Sequence, residues 1–165
     1  KELNYIHTED KEYVASIELG RTTPSFDLET MFDRVYPLEN KPGESQIKEV
    51  LRSFRGNIEQ IPPAYSAKSV KGKRAYHAAR AGEEIVLNPV EITVHEIELL
   101  EYYYPVIRIK VACSKGTYIR SLARDIGEQL RTGGHLIGLT RIRVGDYQVS
   151  NAISINKFEQ IINSL

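Results

Sequence analysis

The chain has 165 residues, of which 41% are hydrophobic and 27% are charged, and its 22 basic and 22 acidic residues cancel. This composition is typical of one globular domain, which excludes a disordered chain, and no apolar stretch is long enough for a membrane helix. One cysteine cannot form an internal disulfide, and the four histidines lack the spacing of zinc ligands. Without a signal peptide, the sequence predicts a cytoplasmic protein.

The charges are grouped in blocks along the neutral chain. Residues 61–82 carry a net charge of +5 and residues 108–143 carry +6, whereas residues 1–60 carry −4 and residues 83–107 carry −6. Two basic blocks of this kind predict one positive face after folding, as in a nucleic-acid-binding protein. The alternative is that each block is a solvated surface that its neighbours neutralise.

The first half of the chain predicts one strand and one helix. Residues 13–19 alternate apolar and polar side chains like a half-buried strand, which Gly20 ends. Residues 21–40 are irregular. Ser45 is the predicted N-cap of a helix that Gly56 ends. The apolar residues of this helix follow helical spacing: Ile47, Val50, Leu51 and Phe54.

The second half predicts two further strands and a second helix. Residues 90–100 form a strand whose alternation changes phase, and a bulge near His95 explains that change. Residues 107–113 alternate regularly as another strand. Thr117 is the predicted N-cap of the helix, and Gly133 follows its end. Its apolar stripe consists of Ile119, Leu122, Ala123, Ile126 and Leu130.

The last part of the chain predicts a short strand at Ile142 and Val144, and a helix that Ser154 caps. The apolar residues of this helix are expected to face the core: Ile155, Phe158, Ile161, Ile162 and Leu165. Strands and helices are interleaved throughout. We therefore expect an α+β fold with a central, mostly antiparallel or mixed sheet flanked by helices.

The segment Cys113–Arg120 reads C-S-K-G-T-Y-I-R and joins a strand to a helix. Free backbone N–H groups at a helix start attract anions, and Lys115 lies beside them. The helix dipole disfavours a cation in the first turn, so Arg120 is expected to meet a carboxylate or phosphate from elsewhere. The alternative is a capped helix with surface bases.

The segment Pro62–Tyr76 interleaves basic residues with tyrosines, a mixture that binds looped or single-stranded RNA. The alternative is a solvated basic loop with core tyrosines. Tyr13 is a further candidate, although the stronger interpretation of this residue alone is a core tyrosine. Cys113 has no histidine or acid beside it in the sequence and is expected to be a buried, inert thiol. The five aspartates occupy no recognisable catalytic motif.

Three groups of motifs, in this order, resemble the bacterial tRNA pseudouridine-55 synthases of the TruB type. The first is Lys11-Glu12-Tyr13 leading to Leu19-Gly20. The second is Pro62–Lys68 with Gly72, Tyr76, Ala79, Arg80 and Gly82. The third is Cys113–Arg120 followed by Gly134–Arg141. The resemblance runs from about Lys11 to Val149.

The resemblance implies an isomerase that converts uridine-55 in the T loop of tRNA to pseudouridine, without cofactor or metal. The uracil is flipped out of the loop, detached, rotated and rejoined through carbon, and an aspartate nucleophile drives the reaction. The resemblance implies that Arg120 pairs with that aspartate. Tyr13 stacks on the uracil and helps to move its C5 proton, and Leu139 lines the base pocket.

The resemblance also implies a thumb-like RNA-binding insertion near residues 60–85 whose positive charge suits binding of the T loop. The predicted RNA contacts are Tyr65, Lys68, Lys71, Lys73, Arg74, Tyr76, Arg80, Lys115, Tyr118, His135 and Arg141. The natural-length enzyme is expected to be a monomer that binds tRNA and no membrane. A chain lacking its first part exposes a sheet edge that favours self-association.

Two departures from the family pattern bear on these expectations. The aspartate motif of the family, G-T-L-D-P-x-A, lies upstream of the Tyr13 strand, and no aspartate here matches it. We therefore expect residues 1–165 to be the C-terminal part of a catalytic domain, inactive alone and without an additional C-terminal RNA-binding domain. In the family run T-D-T-x-D-x-x-G, this chain has Pro24 and Thr30 at two of the conserved places, so residues 23–30 receive no role.

Two other function classes remain open from the sequence. One is an RNA-binding module without chemistry, which the basic blocks support equally well. The other is a structural or protein-interaction domain whose basic stretches are solvated. Phosphate contacts make RNA binding strongly salt-dependent, so a flat salt response would favour the latter.

Overall fold

The computed structural model describes residues 9–37, 39, 41–66, 69–70, 73–74, 76–77 and 87–164, with the backbone alone for 69–70 and 73–74. Three predicted RNA contacts lie outside the described residues: Lys68, Lys71 and Arg80. The strands are β1 (Lys11–Leu19), β2 (Arg21–Thr22), β3 (Arg34–Val35), β4 (Gly56–Gln60), β5 (Ser69–Val70), β6 (Lys73–Arg74), β7 (Val90–Tyr103), β8 (Val106–Cys113), β9 (Gly134–Val144) and β10 (Tyr147–Gln148). The helices are α1 (Glu44–Ser53), α2 (Ile119–Gln129) and α3 (Ile155–Ile162), with a 3-10 turn at Val149–Asn151.

Six strands form one antiparallel sheet in the order β10-β9-β1-β8-β7-β4. Strands β2 and β3 form a separate two-stranded sheet, as do β5 and β6. Helix α1 packs against β7, and helix α2 packs against β9 and β1. The α+β class and the mostly antiparallel sheet predicted from the sequence are therefore confirmed.

Strand β1 lies in the middle of the sheet, between β8 and β9. Its predicted alternation is confirmed, because Ala15, Ile17 and Leu19 are each at most 1% exposed. Burial of one such isoleucine or leucine side chain contributes about 1.5–3 kcal/mol. Gly20 ends the strand with φ of +90°, a conformation that glycine adopts at no steric cost.

The predicted bulge in β7 is also confirmed. Val94 pairs with Cys113, but the next pair joins Glu96 to Ala112, so His95 is an extra residue on the bulged strand. Because of this insertion, Val94 and Ile97 both face the core, although they have opposite parity.

The predicted cap of α1 and the predicted end of the helix are wrong. The helix begins at Glu44 with Gly43 as its N-cap, two residues earlier than a Ser45 cap predicts. Gly56, with φ of +99°, starts the edge strand β4 rather than ending the helix. The five residues of β4 read G-N-I-E-Q, and this polar sequence gave no strand signal.

Helix α3 forms where the sequence predicts it, and Ser154 caps it by accepting a hydrogen bond from the Lys157 N–H at 3.3 Å. The prediction that its apolar residues face the core is wrong. Among the described residues of this stripe, Ile155 is 77% exposed and Phe158 is 53% exposed, and Ile161 and Ile162 are also exposed. Helical spacing predicts an apolar face, but it does not predict what covers that face.

Strand β9 has 11 residues, whereas the sequence predicts only a short strand around Ile142 and Val144. Its glycines, Gly134 and Gly138, concealed the earlier part of the strand, since glycine weakens strand propensity. Among the described residues of 21–37, the predicted irregular character is confirmed apart from the two-residue strands β2 and β3. Of the helices that the structure describes, none is both long and apolar enough to span a bilayer.

Candidate active site

The start of α2 is shaped by its neighbours rather than by its own side chains. Strand β8 ends at Cys113, Gly116 turns the chain with φ of +84°, and Tyr118 is the N-cap of α2. The predicted Thr117 cap is wrong, because its hydroxyl donates to the Ser114 carbonyl at 2.9 Å instead. The buried Gln60 side chain accepts the Tyr118 N–H at 2.8 Å and thereby ties β4 to this helix start.

Arg120 lies in the first turn of α2 and joins two separate loops. Its Nη1 donates to Asp27 Oδ2 at 2.9 Å, and its Nη2 donates to the Tyr65 carbonyl oxygen at 2.9 Å. The side chains of Arg120 and Asp27 are 23% and 24% exposed. The expectation that Arg120 meets a carboxylate is thus met by Asp27, to which the sequence analysis assigned no role.

Both oxygens of the Asp27 carboxylate accept a hydrogen bond, one from within the loop of residues 23–30 and one from α2. The Glu29 N–H donates to Oδ1 at 2.9 Å, while Arg120 occupies Oδ2. The Thr23 hydroxyl donates to the Asp27 carbonyl at 2.7 Å. Burial tends to raise the pKa of Asp27, but hydrogen bonds from Ser25 and Glu29 and the charge of Arg120 outweigh it and lower the pKa.

Asp27 is expected to make the stability of the chain depend on pH. Its pKa in the folded chain lies below the ordinary 3.8, so its stabilisation is present above that pH and lost as pH falls through the lowered value. Asp27→Asn should therefore lower the free energy of unfolding at neutral pH, and the difference from wild type should shrink in acid. Urea denaturation across this pH range measures the difference. An unchanged gap at every pH would contradict the assignment, and the exposed Asp146→Asn is the control.

A cavity of about 280 Å³ lies beside Asp27. Residues 27–29 line one side of it and residues 136–139 of β9 line the other. The cavity opens widely to the surface, and its volume is large enough for a single base. Leu139, which is 46% exposed, presents an apolar side chain there. Arg120, Asp27 and Leu139 are thus brought to one place.

Tyr13 lies next to this group on β1. It pairs with Arg141 across the β1–β9 ladder, and the pair two residues along joins Ala15 to Leu139. Tyr13 and Leu139 are therefore diagonal neighbours on one face of the sheet. Burial raises the pKa of the Tyr13 hydroxyl and Cys113 adds to this, whereas the charge and hydrogen bond of Arg141 oppose it.

Replacement of Arg141 by glutamine is expected to raise the pKa of Tyr13 further, because it removes the cation that favours the phenolate. NMR titration of ring-labelled tyrosine measures this shift. The stability linked to Tyr13 is fully present below its ordinary pKa of 10.0 and is lost as pH rises through the raised value. The pKa of Tyr102, which burial also raises, should not respond. A Tyr13 pKa that stays the same or falls would refute the contact.

The predicted RNA contacts differ in how they are placed. Tyr65 and Tyr118 are half-buried next to Arg120, while Lys115 and Arg141 are exposed. The Tyr76 ring stacks on His77 with centroids 4.1 Å apart. Lys73 and Arg74 form β6, which pairs with β5 in a small hairpin.

His135 is the predicted RNA contact that the structure contradicts. Its side chain is fully buried, with Nδ1 3.3 Å from the Arg21 carbonyl oxygen and Nε2 3.9 Å from Glu18. The Phe32 ring lies edge-on to it at 5.4 Å. A side chain without exposed surface cannot contact RNA, so the prediction for His135 is wrong. The sequence gave no signal that the turn of residues 132–135 is covered.

Cys113 is fully buried, and burial raises the pKa of its thiol. Because the reactive species is the thiolate, we expect a disulfide reagent to leave Cys113 unmodified in the native chain and to modify it after unfolding. Fast modification of the native chain, followed by absorbance, would contradict the buried placement.

Over the described parts of the chain, no three His, Cys, Asp or Glu side chains are grouped as metal ligands would be.

Comparisons with known proteins identify the family of the chain. Residues 1–119 match the family described as TruB family pseudouridylate synthase (N terminal domain), and residues 120–164 match the tRNA pseudouridylate synthase B C-terminal domain. The tRNA pseudouridine synthase B of Parabacteroides distasonis is 49% identical over 98% of this chain and 68% of its own length. That of Phocaeicola vulgatus is 53% identical over 91% of this chain and 63% of its own length.

A solved structure is similar in fold. A chain in the crystal structure of a Cbf5-Nop10-Gar1 complex superposes with a TM-score of 0.69 at 24% identity, over 99% of this chain and 40% of that one. The present chain spans about two thirds of the length of the curated relatives described above. On the family matches and the relatives together, the chain belongs to the TruB family of pseudouridylate synthases.

Proposed function

We propose that the chain is the larger part of an enzyme that isomerises uridine-55 in the T loop of tRNA to pseudouridine. The observation that carries this proposal is the Arg120–Asp27 ion pair beside a cavity of base size, with Leu139 on its wall. Membership of the TruB family supports the same reaction. The protein is expected to need neither cofactor nor metal.

The site suits a base that has left its stack. A uracil in the T loop cannot react while it is stacked, so it has to be flipped into a pocket. The cavity accepts it against Leu139, and Tyr13 is the diagonal neighbour of Leu139 on the same face of the sheet. The N1–C1′ bond then breaks, the base rotates, and a C5–C1′ bond forms. C5 loses its proton and N1 gains one, so the product is an isomer of the substrate.

Asp27 is better placed to hold Arg120 than to attack the substrate. Both of its carboxylate oxygens already accept hydrogen bonds, one from Glu29 and one from Arg120. Asp27 also lies after β1, whereas the aspartate motif of the family lies upstream of that strand. We therefore propose that the nucleophilic aspartate comes from a part of the natural-length enzyme outside these 165 residues, and that this chain supplies Arg120, Tyr13 and Leu139.

The T stem-loop is the proposed RNA partner. The β5–β6 hairpin supports a thumb-like insertion near residues 60–85, and the Tyr65 carbonyl at its base is bound to Arg120. Lys115 and Arg141 are exposed near the same site and can reach phosphates. Residues 1–165 would then be the C-terminal part of the catalytic domain.

The test is tritium release from T-arm RNA that is labelled at uridine C5. The natural-length protein and the 165-residue chain are assayed side by side at equal concentration. Release by the longer protein alone supports both the reaction and the external nucleophile. Release by the 165-residue chain on its own would show that Asp27 or another group within this chain is the nucleophile. No release from either, with salt-sensitive binding intact, indicates an RNA-binding module, and salt-independent binding indicates a structural domain.

A further inference from the structure

Phe26 has an unusual backbone conformation directly before Asp27. Its φ is +63°, in the left-handed region that large side chains avoid because of steric strain. Such a conformation persists only where the surrounding structure holds it. Contacts from neighbouring residues must therefore hold Phe26 at this positive φ.

Three contacts hold Phe26. Its N–H donates to the Thr23 carbonyl at 3.1 Å, and its own carbonyl accepts the Leu136 N–H of β9 at 2.9 Å. The third contact is between side chains, since the Arg124 guanidinium carbon lies 4.6 Å from the centroid of the Phe26 ring. The backbone bonds fix the loop to β9, and the guanidinium fixes the ring to α2.

Arg124 is itself firmly placed. Its side chain is 15% exposed, and Nη2 lies 2.6 Å from Asp125 Oδ1. It follows Arg120 by one helical turn, so both guanidinium groups extend from the same face of α2. One contacts Phe26 and the other contacts Asp27, which are consecutive residues of a single loop.

We propose that Arg124 and Phe26 are positioning residues, whose stacking keeps the residue 26–27 peptide oriented so that the Asp27 carboxylate meets Arg120. If the stacking is lost, Phe26 relaxes to a negative φ and the following peptide rotates. That rotation carries the Asp27 carboxylate away from Nη1 of Arg120. The guanidinium then loses one of the two partners that set its direction.

The proposal rests on the proposed function only where turnover is measured, so its first test uses no substrate. The Asp27 carboxyl carbon is titrated by NMR in the 165-residue chain and in Arg124→Met. We expect the pKa of Asp27, which is low in wild type, to move up toward the ordinary aspartate range in the variant. Asp125 loses the Arg124 cation in any Arg124 variant, so its own pKa changes for that reason. The test therefore depends on the pKa of Asp27 only.

Matched variants separate positioning from folding. Arg34 lies 4.6 Å over the Tyr36 ring, the same kind of contact in β3, so Arg34→Met should leave the Asp27 titration unchanged. Phe26→Leu removes the ring without altering α2, so it tests the same contact if Arg124→Met does not fold. It should likewise raise the pKa of Asp27. Phe26→Tyr keeps an aromatic face and should restore the wild-type titration.

The second test measures turnover in the natural-length enzyme. Misplacement of a reacting group by about 1 Å costs about 100-fold, so Arg124→Met and Phe26→Leu should lower kcat by about that factor with little change in KM. An unchanged Asp27 titration in both variants would overturn the proposal, whatever their kcat, and would leave Arg124 as a purely structural residue. If the wild-type enzyme shows no turnover, the proposed function fails, and the Asp27 titration alone still decides on the positioning.

Discussion

Replacement of Arg120 by methionine is expected to lower kcat for uridine isomerisation by about 10³-fold in the natural-length enzyme. Loss of one preorganised donor at a developing charge typically costs about 10²–10³-fold. Arg120 also joins Asp27 to the Tyr65 carbonyl, so its removal disturbs both loops that border the cavity. Methionine keeps the apolar stem of the side chain but removes the charged guanidinium, and tritium release at saturating RNA measures the effect.

Two further variants make this prediction specific. Arg120→Lys keeps the charge, but one ammonium group cannot reproduce the planar fork that reaches two separate acceptors, so most of the loss should remain. Arg52→Met removes a cation from the exposed end of α1 and should leave kcat unchanged. Wild-type turnover in Arg120→Met would show that the ion pair with Asp27 is only structural.

The second large effect is expected from Gly127→Ala in α2. A Cβ atom built on Gly127 would lie 2.3 Å from the Gly133 carbonyl carbon and 2.3 Å from the Gly134 nitrogen. Both are backbone atoms of the turn into β9, so neither can move without shifting the strand. We expect a loss of about 3 kcal/mol in the free energy of unfolding, with a fall in Tm of about 6–12 °C.

Gly138→Ala is the matched control for this prediction. It adds the same methyl group in β9, but its Cβ atom would meet Ser16 Cβ at 3.5 Å, an ordinary van der Waals contact. The free energy of unfolding of Gly138→Ala should differ from that of wild type by less than about 1 kcal/mol. Thermal and urea denaturation of both variants make the comparison. Equal stability of Gly127→Ala and wild type would show that the turn of residues 133–134 is free to move.

Elements with a strong local pattern could be predicted from the sequence. The alternation in β1 and β8 and the phase change at His95 depend only on neighbouring residues, and the structure shows all three. Strand β4 and most of β9 were missed because glycine and polar residues there hide the strand signal. These strands depend on pairing with distant partners, which a local pattern does not contain.

The same limit applies to the candidate site. An arginine in the first turn of α2 predicted an acidic partner on electrostatic grounds, and that inference was correct. The identity of the partner was not predictable, because Asp27 lies 93 residues away in an irregular loop. The helix start shows the same limit, since its N–H group is bound by Gln60 from a strand that the sequence did not predict. The buried environment of His135 likewise depends on Phe32 and Glu18, which other parts of the chain supply.

The position of β9 beside β1 determines how the protein can be divided. The two matched family regions meet between residues 119 and 120, at the first turn of α2. A fragment that ends there would leave β1 with β8 as its single partner and would remove the helix that covers β1. Ala15, Ile17 and Leu19 would then face water. The two matched regions are therefore not expected to fold independently. The halves should be insoluble when they are expressed separately and soluble when they are produced together.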